Sequence, residues 1–265
     1  SQGLNINKFE NALKKKFGSK YCCAVSSGTA ALHLAGLALG WKSKDIVLSS
    51  TISFVASSNS IIYAGATPDF VDINENDYNI DIEKIEKKIK FQKKKNNKVV
   101  AIIATDFAGH PCDWKSLKEI SKKYNLNLVN DNCHAIGASY KKNSKYASKY
   151  ADVVTHSYHP VKNITTGEGG AVFTNSKIID QKVRMLRSHG INKNTSNFSK
   201  RHGSWYYEMQ NLGFNYRITD FQCALGLSQL KKLNKFVKKR KEIAKIYNKN
   251  FDNKIFFTTP RVRKD

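Results

Sequence analysis

The chain has 265 residues, enough to bury one large core or two modest ones, and its 40% apolar content belongs to a folded protein. Its formal charge of +24 comes almost wholly from lysine, 38 against 7 arginines, beside 25 asparagines. An AT-rich genome gives any protein that profile, and the scarcity of arginine, the residue that reads phosphate and guanine bidentately, argues against a nucleic-acid binder.

Residues 8–17 read as a helix. The longest apolar stretch, residues 21–41, is broken by serines, a threonine and a histidine, so it reads as strand, turn and helix (29–39) and not as a membrane span. Nothing at the start has the charged, apolar and cleavage regions of a signal peptide. Strand 45–50 is followed by helix 53–64, strand 68–73, helix 82–90 and a solvated loop, "FQKKKNNK", over 91–98. Strand 99–106, helix 114–124 and strands 126–131, 151–157 and 170–175 complete the alternation. From residue 180 the pattern turns helical, with a polar loop over 192–204 and one long helix over 220–247. Apolar strands alternating with amphipathic helices predict an α/β fold, its mostly parallel mixed sheet lying between helices.

Cys22, Cys23, Cys112, Cys133 and Cys223 are an odd number at no metal-like spacing. They fit packed thiols in a reducing cytoplasm and give no metal site. Three other places carry chemistry. Ser27-Gly28-Thr29 lies between a strand and a helix, where a glycine turn, hydroxyls and free N–H groups suit a phosphate; an ordinary N-cap has the same residues. The Walker and dinucleotide glycine patterns are absent. Asp131 ends a strand and His134 follows it, at the sheet end where ligands sit; a capping aspartate with a surface histidine is the plain alternative. Lys162 lies in "HSYHPVKNITTGEGGAVFTN", between the strand end at Ser157 and a glycine-rich turn back into the sheet. A lysine held out of water there becomes a nucleophile towards carbonyls, whereas a solvated loop lysine does nothing. A phosphate cup, a carboxylate for a ring nitrogen and a lysine for an aldehyde together make the demand of pyridoxal 5'-phosphate (PLP).

The blocks "SSGTAALHLAGLALG", "SFVASSNSIIYAGATPDFVDI", "DNCHAIGASY", "HSYHPVKNITTGEGGAVFTN" and "LGFNYRITDFQCALGLSQL" occur in the order in which they stand in one family. Through them the chain resembles the DegT/StrS-type sugar aminotransferases, which have the aspartate aminotransferase fold (PLP fold type I). "RSHGI" and "WYYEMQNLGFNYRITDFQCALGLSQL" are most similar to its pseudaminic acid branch, which aminates C4 of a UDP-linked 4-keto-6-deoxy-N-acetyl sugar with L-glutamate as donor.

The resemblance implies that Lys162 carries PLP as a Schiff base and that Asp131 pairs with the pyridine nitrogen. It places His134 beside the phenolic oxygen, Ser27, Gly28, Thr29 and Ser157 at the phosphate, and Phe54 on the ring face. Asn215 is expected to reach the phosphate in a neighbouring subunit and Arg217 to hold a donor carboxylate, which makes the enzyme a homodimer with shared sites. His189 is a further substrate candidate, and Trp205 and Tyr206 line either sugar or dimer contact, or simply pack. Related dehydratases carry histidine where Lys162 stands, so lysine points to transamination. The large domain is expected over 1–245 and the start of a small C-terminal domain, otherwise largely missing, over 246–265. A PLP-binding relic without activity, and amination of a dTDP- or GDP-linked sugar at C3 or C4, remain open beside this reading.

Overall fold

The computed structural model describes residues 2–192, 203, 205–252, 255–256 and 258–263. In chain order the principal elements are α1 (Leu4–Phe17), β1 (Tyr21–Val25), α2 (Gly28–Leu39), β2 (Asp45–Ser50), α3 (Ala56–Tyr63), β3 (Thr67–Val71), α4 (Ile82–Lys94) and β4 (Lys98–Thr105). They continue as α5 (Trp114–Tyr124), β5 (Asn127–Asp131), α6 (Tyr146–Tyr150), β6 (Val153–Ser157), β7 (Gly170–Thr174) and α7 (Lys177–Arg187). A two-stranded ribbon, β8 (Ile191–Asn192) and β9 (Glu208–Met209), precedes α8 (Asp220–Phe251).

The seven-stranded sheet runs β1-β7-β6-β5-β4-β2-β3. Strands β3, β2, β4, β5 and β6 are parallel to one another, because the links between them are long crossovers containing helices. Strand β7 runs antiparallel to both β6 and β1, since only the short 158–169 loop separates it from β6. This order brings the C-terminal ends of β1, β4, β5 and β6 to one edge. Thr105 pairs with Asp131, while Val25 and Ser157 both pair with Gly170.

Side chains alternate between two cores. In β2, Ile46 and Leu48 join the face covered by α1, α4, α5 and α8, while Val47 joins the face covered by α2, α3 and α7. In β4, Ile102 and Ala104 face one way and Ala101 and Ile103 the other. Helix ends are set locally. Ser27 caps α2 by accepting the Ala30 N–H, and Gly40, at φ 80°, closes it. Thr219 and Gln222 form a reciprocal capping box at the start of α8.

Four expectations need correction. Residues 91–94 continue α4 and are not loop: lysine is a good helix former, no glycine or proline intervenes, and Gln92 is buried on the same face as Ile85 and Ile89. Helix α3 begins at Ala56, not residue 53. Strand β3 is a half-exposed edge containing Pro68 and not a buried strand, the place where a missing N–H is tolerated. Helix α8 reaches Phe251, beyond the end expected at residue 247. Of the polar loop expected over 192–204, residues 193–202 and 204 lie outside the described residues.

Candidate active site

The sheet edge that gathers the strand ends opens into a cleft of about 570 Å³. Its first wall is the start of α2. A Cβ on Gly28 would lie 2.7 Å from the Ser157 Cβ, and one on Gly170 would collide with the Ser27 carbonyl oxygen. Absent side chains at both positions let the helix start sit directly against β6 and β7. The N–H groups of Gly28 and Thr29 have no acceptor within a helix at that position, and the Ser157 hydroxyl lies beside them. This is a cradle for an anion, strengthened by the partial positive charge of the helix start. Ser27 contributes mainly its cap, since its Oγ accepts the Ala30 N–H at 3.0 Å.

The floor is Asp131, 3% exposed at the end of β5. Its Oδ2 accepts a hydrogen bond from Ser57 Oγ at 2.7 Å, and its Oδ1 accepts the Cys133 N–H at 3.2 Å. Among the described residues it has no ion-pair partner, although a buried charge left without one is costly. The carboxylate also pushes the Cys133 thiol's pKa up, after burial itself, which keeps that sulfur protonated. Beside Asp131, Thr105 Oγ1 and His134 Nδ1 are buried without hydrogen-bond partners. Burial, and secondarily the charge of Lys162, lower the His134 pKa below its ordinary value, so the ring is a neutral imidazole near pH 7.

Lys162 stands across the cleft in the 158–169 loop. The loop is closed by Tyr158 N–H to Gly169 O at 2.8 Å and Thr166 N–H to Tyr158 O at 3.0 Å. A turn puts the Lys162 N–H on His159 O at 2.9 Å, and Asn163 Nδ2 donates to Ile136 O at 2.6 Å. From outside, Arg240 Nη2 of α8 donates to the carbonyls of Val161 and Lys162 at 3.3 and 3.2 Å. Phe54 lies at the rim with 64% of its surface exposed, free to cover a flat group.

The structure therefore brings Ser27, Gly28, Thr29, Phe54, Asp131, His134, Ser157 and Lys162 to one cleft. His189, Asn215 and Arg217 do not line it. His189 and Asn215 are exposed in the segment that follows α7, where Ser188 bridges to Asn215, and Arg217 bridges to Val25. Sequence reasoning missed Ser57, Thr105, His159 and Glu168, all of which line the cleft or touch Asp131. Ser57 had one available signal: it stands three residues after Phe54 in the block "SFVASSNSIIYAGATPDFVDI".

A phosphate cradle, an unpaired buried carboxylate and a tethered lysine fit a phosphorylated pyridine aldehyde. Residues 1–265 match the DegT/DnrJ/EryC1/StrS aminotransferase family throughout. The chain belongs to that family. Among DegT-family relatives, it is 43% identical over 261 residues to the UDP-4-amino-4,6-dideoxy-N-acetyl-beta-L-altrosamine transaminase of Campylobacter jejuni serotype O:2, covering 98% of this chain and 65% of the relative. It is 38% identical to the GDP-perosamine synthase of Escherichia coli O157:H7, covering 96% of this chain and 65% of the relative. The structure is similar to Helicobacter pylori PseC, an aminotransferase involved in the biosynthesis of pseudoaminic acid, with TM-score 0.84 and 34% identity over 97% of this chain and 66% of that one. The chain thus spans about 65% of the length of these curated DegT-family relatives. DegT-family aminotransferases bind PLP.

Proposed function

We propose that this protein is a PLP-dependent aminotransferase that moves an amino group from L-glutamate to the C4 ketone of a UDP-linked 4-keto-6-deoxy-N-acetylhexosamine. The observation that carries the reading is the placement of Lys162 and Asp131 on one cleft whose end wall is the Gly28–Ser157 cradle. The 43% identity to the UDP-linked sugar transaminase favours the UDP sugar, and the GDP-perosamine synthase relative supplies the competing substrate class.

When bound, PLP supplies an electron sink for the carbanion generated at the donor's α-carbon. The residues around it divide the remaining work. The Gly28 and Thr29 N–H groups with the Ser157 hydroxyl hold the phosphate. Asp131, steadied by Ser57, keeps a proton on the pyridine nitrogen through a charge-assisted hydrogen bond. Neutral His134 meets the phenolic oxygen without adding a charge, and Phe54 covers the ring face. Lys162 would hold the aldehyde covalently at rest and, once the donor amine has displaced it, its free amine would take the proton from the donor's Cα and, in the return half, supply one to C4 of the sugar. Asn215 and Arg217, lying outside the cleft of their own chain, are assigned to the site of a second copy in a cytoplasmic homodimer. In this reading residues 1–245 form the large domain and 246–265 begin the smaller one.

A glutamate-dependent amination assay across UDP-, dTDP- and GDP-linked 3-keto and 4-keto sugars tests this function. Turnover of the UDP-linked 4-keto sugar well above the others is expected. Preference for a GDP-linked ketone would move the assignment to the perosamine class, and no amination of any of them by cofactor-loaded protein would reject it.

A further inference from the structure

The cleft has a second compartment of about 380 Å³, which shares Cys133, His134, Val161 and Lys162 with the first and ends on α8. Its near side is the 108–109 turn, where Ala108 (φ 50°) and Gly109 (φ 87°) are both left-handed. Its far side is Val237, Arg240, Lys241 and Ala244. Among the described residues, the charged groups lining it are Lys162, Arg240 and Lys241, with no carboxylate. Arg240 uses Nη2 on the Val161 and Lys162 carbonyls, which leaves Nη1 without an acceptor among the described residues. Lys241 likewise has no ion-pair partner there; the nearby Glu242 pairs with Lys239. Two positive groups, Arg240 and Lys241, beside Lys162 on a concave space with no counter-charge among the described residues concentrate anions in it.

We propose that this compartment is a carboxylate subsite that holds the dicarboxylic amino donor from within the same chain, with Arg240 and Lys241 as its anion-binding residues. The inference rests on the aminotransferase reading and deepens it. A donor whose α-amine reacts beside Lys162 must carry its carboxylates within a few bonds of that point, and the compartment adjoins Lys162 directly. The subsite would take, from within one chain, the role that the resemblance gives to Arg217 of a second copy, and the Arg217→Gln arm of the test separates the two. A nucleotide diphosphate is the other anion of the reaction, and the test separates the two.

The test titrates cofactor-saturated protein with glutarate and, separately, with UDP by calorimetry, for the parent chain, Lys241→Gln, Arg240→Gln/Lys241→Gln and Arg217→Gln. Lys241→Gln should weaken glutarate about threefold and the double variant about tenfold or more, as for charge-assisted contacts made by exposed cations. UDP affinity and the borohydride-trapped adduct on Lys162 should be unchanged in Lys241→Gln. Unchanged glutarate affinity in the double variant, loss of UDP affinity in place of glutarate, or loss carried by Arg217→Gln alone would overturn the subsite. Absence of the Lys162 adduct in the parent chain would instead remove the aminotransferase reading beneath it.

Discussion

Ser57 Oγ donates a 2.7 Å hydrogen bond to Asp131 Oδ2, and both side chains are buried, at 0% and 3% exposure. The bond joins α3 to the end of β5 and, with the Cys133 N–H on Oδ1, holds the carboxylate in one orientation. Ser57→Ala would leave Asp131 with its Cys133 N–H bond and one fewer donor to its charged form. The carboxylate then holds its position and charge less well. We expect turnover to fall about tenfold, on the order of 1.4 kcal/mol, with a matching rise in the cofactor dissociation constant. Steady-state kinetics with a fluorescence titration check it; parent-like values in both would show the bond to be dispensable.

Lys162→Ala should abolish turnover and the borohydride-stable adduct, while PLP still binds through the Gly28–Ser157 cradle. Mass spectrometry of the reduced protein decides it. An adduct of undiminished yield on another lysine would contradict the role given to Lys162. Asp131→Asn should keep PLP bound but cut turnover by orders of magnitude, because a neutral amide cannot balance a protonated ring nitrogen.

Gly28→Ala inserts a methyl 2.7 Å from the Ser157 Cβ, closer than side-chain carbons approach, so α2 must shift away from β6. The cradle opens with it. The expected outcome is a rise of about tenfold or more in the PLP dissociation constant, with a lowered melting temperature in the apoprotein. Unchanged PLP affinity would show that the helix start does not hold the phosphate.

His156 is 1% exposed among Phe17, Phe173 and Tyr158, and burial pushes its pKa down to about 3. The unfolded chain takes up this proton near pH 6.5, whereas the native chain does not until far lower pH. Stability from this group is complete above pH 6.5 and is lost as pH falls towards 3. His33 and His134, also lowered chiefly by burial, act with the same sign. Melting temperature should therefore drop steadily with acidification below pH 6.5, and the slope should be shallower in His156→Gln. Equal slopes in the two proteins would exclude this histidine as the source.

Two cores and a site were unequally legible. Strands β2 and β4–β7 were readable to within about two residues because apolar runs between turn residues are a local property. Ser27-Gly28-Thr29, Asp131 and Lys162 were readable because each stands where a strand gives way to a loop. Residues 91–94 were misread because lysine and glutamine look like loop until the buried face of α4 is in view.

Local sequence determined the order of strands and helices, the capped start of α2 and the chemical types available at the strand ends, since each depends on neighbours within a few positions. Tertiary structure alone decided which of those groups meet. Ser57 reaches Asp131 across 74 residues, and buried Glu10 pairs with Arg184 and Arg187 across 174 and 177. Arg240 braces the Lys162 loop across 78. Contacts of that span leave no periodicity in the chain, because they arise only when the β7 reversal and the parallel crossovers bring four strand ends to a single edge.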